Sequence, residues 1–470
     1  MDDDETEMML LAQFQQSIAA VIVSETPKKR KKDSRELPRE SRREFQHQRA
    51  LDCLLYDYLG PKPLFDGREF EMMFRVSRRR FQCIMEDIGN AGIPFFLQSA
   101  DCFGKKGASI EARILLPLKC MGYGVPPHCF MDYFSMSSTL AKDCYNNFQD
   151  ACVKLYLDEY LRPPSSEDLK GITRLHRSVH AGVDGMLGSL DCMHTYWDKC
   201  PVGWQGAFMN GAKKKPSIVL EAACDYHLWF WHASYGYAGT LNDINILNLS
   251  PLTEMFLTGE MAKLEEEVTP FIIGGEEFQQ LFLLVDGIYP SFSRFVKGYK
   301  HPCGDFEKAL TTWQESARKD IERAFGVLQA KFQCIARPIV LRALERIEAM
   351  VTSALILHNM CVSDRIMEGD CRARYNPANS LLETEDGAIN VEPPPDQLEV
   401  QSQYTKRTRT RSCNVGVDNA DEEVVEVVSR RRRWMELHDK EECARLHNAL
   451  METLGHAYRK RKTEKRTTTS

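Results

Sequence analysis

Apolar residues recur at helical spacing over residues 46–165 of this chain. Behind Ser77, one stripe runs through Phe81, Ile84, Met85 and Ile88; behind Ser109, another runs through Ile110, Ile114, Leu115 and Leu118. Each Ser suits an N-cap, because its hydroxyl accepts from a backbone N–H that the first turn leaves unpaired. Cys129, Phe130 and Tyr133 after Pro126-Pro127 predict a short helix, and Phe134-Ser135-Met136-Ser137 a turn. Leu140, Cys144 and Phe148 predict a further helix, capped by Ser137 or Ser138. Helix, short helix, tight turn and helix is the layout of a helix-turn-helix, and equally of a plain bundle. From residue 166 the pattern shortens. β-rich runs at 186–193, 217–224, 228–235 and 282–285 predict strands, the middle pair joined by a turn at Asp225-Tyr226-His227. Helical patterns return at 315–332 and 343–362. Strands flanked by later helices predict an α/β layer with a mixed sheet over 166–365.

The ends read differently. Residues 1–45 are expected to form a disordered tail. Residues 366–433 lose periodicity, with Pro393-Pro394-Pro395 and the basic Lys406-Arg407-Thr408-Arg409-Thr410-Arg411, and are expected to be a disordered linker. An amphipathic helix from Trp434 and the basic Arg459-Lys460-Arg461-Lys462 are expected within 434–470.

Composition narrows the class. Hydrophobic residues make up 43% and charged residues 27%, enough for a sizeable core in a globular protein. The net charge of -6 excludes a polycation, yet basic residues cluster near both ends. No apolar run approaches the ~20 residues of a membrane helix, so no membrane partner is expected. The acidic start, Met1-Asp2-Asp3-Asp4-Glu5, lacks a secretory signal's basic n-region. Sixteen Cys without a C-x-x-C pair read as reduced intracellular thiols. Lys28, Lys29, Arg30, Lys31 and Lys32, directly after Pro27, read as a nuclear-localisation signal, and a nuclear protein is expected.

Three carboxylates stand out. Asp191 interrupts the apolar Leu187-Gly188-Ser189-Leu190-Asp191-Cys192-Met193, where an Asp is disfavoured by propensity and costly to bury unpaired. Asp286 ends the apolar run of Leu283, Leu284 and Val285, with Gly287 allowing a sharp turn. Glu322 lies in an amphipathic helix and shares a face with Gly326 and Gln329. Carboxylate oxygens are hard ligands that suit Mg²⁺ and Mn²⁺, and carboxylates meeting at one point repel without a cation.

In these blocks the chain resembles a PIF/Harbinger-type DDE transposase of the plant-transposon-protein branch. Further blocks carry the resemblance: Pro201-Val202-Gly203-Trp204-Gln205-Gly206, Leu220-Glu221-Ala222, Trp229-Phe230-Trp231-His232-Ala233, Leu241-Asn242-Asp243-Ile244-Asn245-Ile246-Leu247, the helix around Glu322 from Arg318 to Lys331, and Leu357-His358-Asn359-Met360. The family's catalytic carboxylates fall on Asp191, Asp286 and Glu322, and a further metal-associated Asp on Asp243. Asp243 also suits an N-cap. The resemblance implies an RNase H-like catalytic domain with a mixed five-stranded sheet over 166–365, behind the all-α, helix-turn-helix-like segment 46–165. It implies a two-metal Mg²⁺ or Mn²⁺ site, hydrolysis at transposon ends, and joining of the freed 3′-hydroxyl to target DNA. The implied partners are double-stranded DNA, a second copy of the chain and a Myb/SANT-like protein.

Weaker features accompany these. Lys213, Lys214 and Lys215 lie in a loop between strands and can meet phosphates or only solvent. Arg318 and Arg323 flank Glu322 and can hold DNA or balance acidic neighbours on the helix. His194 reads as a satisfied strand histidine. A domesticated descendant that binds DNA or chromatin without cutting is the competing function, and a phosphodiesterase acting on RNA or nucleotides a third.

Overall fold

Serine and aspartate caps start most of the N-terminal helices in the computed structural model, which describes residues 45–100, 102, 104–180, 182–367 and 420–468. The chain divides into two units, Met1–Phe45 and Gln46–Ser470. The basic run at Lys28 to Lys32 lies outside the described residues. Within the second unit, α1 (His47–Leu54) precedes α2 (Gly67–Phe74), α3 (Arg78–Asn90), α4 (Ile110–Tyr123), α5 (Ser138–Tyr160) and α6 (Ser166–Val179). Ser77, Ser109 and Ser137 each accept from the backbone N–H three residues on. Asp66 with Glu69, and Ser165 with Asp168, close reciprocal capping boxes.

Five strands then form one mixed sheet in the order β3-β2-β1-β6-β7: β1 (Met186–Tyr196), β2 (Ser217–Cys224), β3 (Phe230–Ala238), β6 (Phe282–Leu284) and β7 (Phe295–Val296). β1, β2 and β3 are antiparallel neighbours, whereas β1–β6 and β6–β7 are parallel. Between β1 and β2 lies α7 (Gln205–Phe208); after β3 come α8 (Asp243–Leu249), α9 (Pro251–Thr258), α10 (Glu260–Glu266) and a small β4–β5 hairpin (Phe271–Ile273, Glu276–Phe278). The long α11 (Asp305–Lys331), the short α12 (Gln333–Ala336) and α13 (Leu344–Met367) follow, and α14 (Ala420–Leu437) and α15 (Lys440–Thr468) complete the described chain.

Every residue of β2 is buried, so helices cover both faces of the sheet. On one side Leu220 and Ala222 pack with Ile321 of α11, Leu355 of α13 and the helices before the sheet. On the other, Leu190 and Ala223 join Leu169 of α6, Leu247 of α8 and Phe282. The segment 46–165 is therefore built into the sheet's core. Asn359 in α13 fastens it there: its side chain accepts from Phe230 N at 3.0 Å and donates to Phe230 O at 2.9 Å and Tyr160 O at 2.6 Å. Arg80 of α3 adds a fork onto the nearly buried Asp364, at 3.0 and 2.5 Å.

The helix after the tight turn, α5, packs against α4 and α13, and its exposed positions carry Lys142 and Lys154 against Asp150, Asp158 and Glu159. The helix is thus packed into the bundle, with exposed charges of both signs. At the other end, α14 begins at Ala420, inside the stretch expected as linker. Its charge run conceals a docking surface: Arg430 forks onto Glu254 at 2.5 and 2.7 Å, and Arg433 donates to Leu257 O at 2.7 Å. Leu437, Leu446, Leu450 and Leu454 are then buried in the same core as β6 and β7.

Candidate metal-dependent active site

A bulge in β1 sets the geometry of the acidic residues. Met186 pairs with Phe282 and Gly188 with Leu283, so two residues of β1 advance against one of β6, and Ser189 then faces Leu284. Asp191 follows two residues later on β1, and Asp286 lies just past the end of β6, where its charge raises the Asp191 carboxyl. Without the extra residue, the side chains of β1 beyond the bulge would point to the opposite face relative to β6. Gly188 makes the bulge possible. Its φ is +142°, and a Cβ there would lie 2.0 Å from Cys224 O.

The face that carries Asp191 is the one α11 covers. Ser189, two residues before Asp191, donates to Ala317 O of α11 at 3.3 Å. One residue past Ala317, Arg318 reaches back with Nη1 3.3 Å from Asp191 Oδ2 and Nη2 3.0 Å from Glu322 Oε1. A single guanidinium thus joins two of the three carboxylates. Gln329, further along the same helix, donates to Met193 Sδ at 3.1 Å and keeps α11 seated on β1.

Asp191 Oδ1 also accepts from Cys192 N at 2.8 Å. Burial pushes its carboxyl up to about 6, with Asp243 and Asp286 raising it further and the Cys192 N–H and Arg318 opposing. Asp286 is exposed, and its Oδ1 accepts from Gly287 N at 2.7 Å, which fixes the turn after β6.

Asp243 approaches from the other side of the sheet. Asn242, not Asp243, caps α8: its side chain accepts from Asn245 N at 2.8 Å. The Asp243 carboxylate lies near Cys192, which points away from the α11 face and whose Sγ is 3.5 Å from Tyr289 Oη. Burial raises the Asp243 carboxyl first, and nearby His194 lowers it. His194 itself is satisfied, with Nδ1 3.0 Å from Ser217 Oγ. Asp191 and Glu322 are therefore joined through Arg318, while Asp286 and Asp243 act on Asp191 through space. Among the described residues no group of three or more His, Cys, Asp or Glu is drawn together closely enough to hold a metal ion as it stands.

The basic residues divide. Arg323 pairs with the buried Asp320 at 2.7 Å, and burial pushes Asp320 up to about 7 against that pull. Arg323 therefore serves the helix. Lys213, Lys214 and Lys215 are exposed in the turn before β2, where Asn210 Oδ1 accepts from Ala212 N and Lys213 N.

The residue pattern alone did not single out a second cluster. Glu221, fully buried on β2, accepts from Ser250 Oγ and lies 2.9 Å from His232 Nε2 on β3. Ser250 ends α8 and caps α9, donating its hydroxyl while accepting from Leu252 N at 3.1 Å. A Glu inside an otherwise apolar, fully buried strand was the available signal.

No helix among the described residues is long and apolar enough to cross a membrane. No curated protein and no solved structure matches the chain. Residues 158–370 match the family model described as plant transposon protein, and this segment, similar to the proteins of plant transposons, carries all four acidic positions.

Proposed function

We propose that this chain is a divalent-metal-dependent DNA endonuclease and transposase of the PIF/Harbinger DDE type, built on an RNase H-like sheet. The observation that carries the reading is the β1–β6 register. It brings Asp191 on β1 beside the end of β6 that leads into Asp286, and Asp191 lies on the face covered by the helix of Glu322. The donor set fits Mg²⁺ or Mn²⁺ in its chemistry: hard carboxylate oxygens, with Asp191 held up to about 6 by burial first and by Asp243 and Asp286 after it. Asp191, Asp286 and Glu322 would hold the ions, with Asp243 in support. Bound there, a pair of such ions supplies an activated water and stabilises the leaving oxygen of a phosphodiester. The chain's own residues orient the substrate. Exposed Lys213, Lys214 and Lys215 beyond the end of β1 meet the phosphate backbone, and Arg318 does so nearer the carboxylates. Two ends must be joined, so the working form is a homo-oligomer on double-stranded DNA in the nucleus, assisted by a Myb/SANT-like partner.

The test is cleavage, by the purified full chain with Mg²⁺, of duplex DNA carrying the two terminal sequences of its element. Cleavage that Asp286→Asn abolishes is expected. DNA binding without cleavage, and with no metal-dependent stabilisation, would replace this reading with a domesticated DNA-binding descendant.

A further inference from the structure

We infer that Arg318 is a displaceable internal cation, and that its pairing with Asp191 and Glu322 competes with metal binding at the same carboxylates. The inference rests on the metal-dependent reading above. Its basis is the double ion pair: Nη1 to Asp191 Oδ2 at 3.3 Å, and Nη2 to Glu322 Oε1 at 3.0 Å. Asp191 and Glu322 come from a strand and a helix far apart in sequence, and Arg318 is the side chain that ties one to the other. The pair with Asp191 is sheltered, the arginine and aspartate side chains being 18% and 22% exposed. Such a contact is screened less than a surface pair.

A guanidinium keeps its charge throughout the working pH range, so it cannot yield to a metal by losing a proton. It can only move. A Mg²⁺ ion requires carboxylate oxygens at about 2.0–2.1 Å in near-octahedral order. The oxygens that Arg318 holds are the ones it would need, and two cations cannot share them at that range without strong repulsion. The backbone of Arg318 is anchored, because neighbouring Ala317 is fully buried and accepts from Ser189. Exchange therefore requires only rotation of the side chain towards solvent, where the fork is free for a phosphate. In the metal-free protein Arg318 keeps Asp191 and Glu322 from repelling each other; with metal present it is released.

Mn²⁺ titration by calorimetry of the full chain tests this, on wild type, Arg318→Ala, Arg318→Gln and Asp191→Asn. Arg318→Gln keeps the methylene stem and a polar, uncharged end, which guards against a misfolded alanine variant. The expected result is Mn²⁺ binding on the order of tenfold tighter in both Arg318 variants than in wild type, as for loss of one charge-assisted contact, with binding lost in Asp191→Asn. Equal or weaker binding in both Arg318 variants, with Asp191→Asn still abolishing it, overturns the competition and leaves the metal reading standing. Mn²⁺ bound by none of the four proteins overturns both.

Discussion

Histidines 176 and 180 show how burial sets the charge of individual side chains. Both are buried, their ring centroids stack 5.3 Å apart, and neither ring has a hydrogen-bond partner among the described groups. Burial lowers His180 to about 4; it lowers His176 well below its usual value, with His180 and His227 adding to the effect. A histidine whose folded pKa is depressed binds fewer protons folded than unfolded. Its stabilising contribution is present above the unfolded value near 6.5 and is lost as pH falls towards 4. For His180 that loss amounts to about 3 kcal/mol at the acid end. His180→Phe, similar in shape, is expected to flatten the acid limb between pH 6.5 and 4 in urea melts; an unchanged slope would show that the ring is charged or solvated in the fold.

At the scale of elements, the Gly188 bulge sets the β1–β6 register and the Glu221–Ser250 contact ties β2 to the junction of α8 and α9. Gly188→Ala is expected to destabilise by more than an ordinary surface change, because the new methyl group meets Cys224 O and the backbone must leave φ +142°. It is also expected to impair metal-dependent stabilisation disproportionately, since β1, which carries Asp191, loses its register with β6. A thermal melt with and without Mn²⁺ separates the two effects. Ser250→Ala removes a donor from the buried Glu221 and is expected to cost about 1–3 kcal/mol, read by urea unfolding. Leu450→Ala, deep in the dock of α15, is expected to cost about 2–5 kcal/mol; a negligible loss would mean that α14 and α15 are not part of the core.

Across the molecule, local pattern foretold what local pattern controls. β2 is legible to the residue, because a largely apolar run between Pro216 and Asp225, broken inside only by Glu221, leaves little choice of ends. The Ser caps were legible because capping is a contact between near neighbours. β7, with two residues, carries no period to read, and α11 starts earlier than its apolar stripe, its first turn docking on α15 through Phe306 against His456. The acidic residues of the proposed site stand out in the sequence as individual residues and as blocks. Their company does not. Arg318 reads as a helix neighbour of Glu322, and only the seating of α11 on β1 brings it to Asp191. Asp243 likewise reads as a cap until Asn242 takes that role.

The central claim is that Asp191, Asp286 and Glu322 form a divalent-metal site. The most direct measurement is the melting temperature of the full chain with and without saturating Mn²⁺, for wild type and Asp191→Asn. Saturation at a hundred times the dissociation constant is worth about 2.7 kcal/mol, so a rise of a few degrees is predicted for wild type and none for Asp191→Asn. An equal shift in both proteins, or none in wild type, would contradict the account.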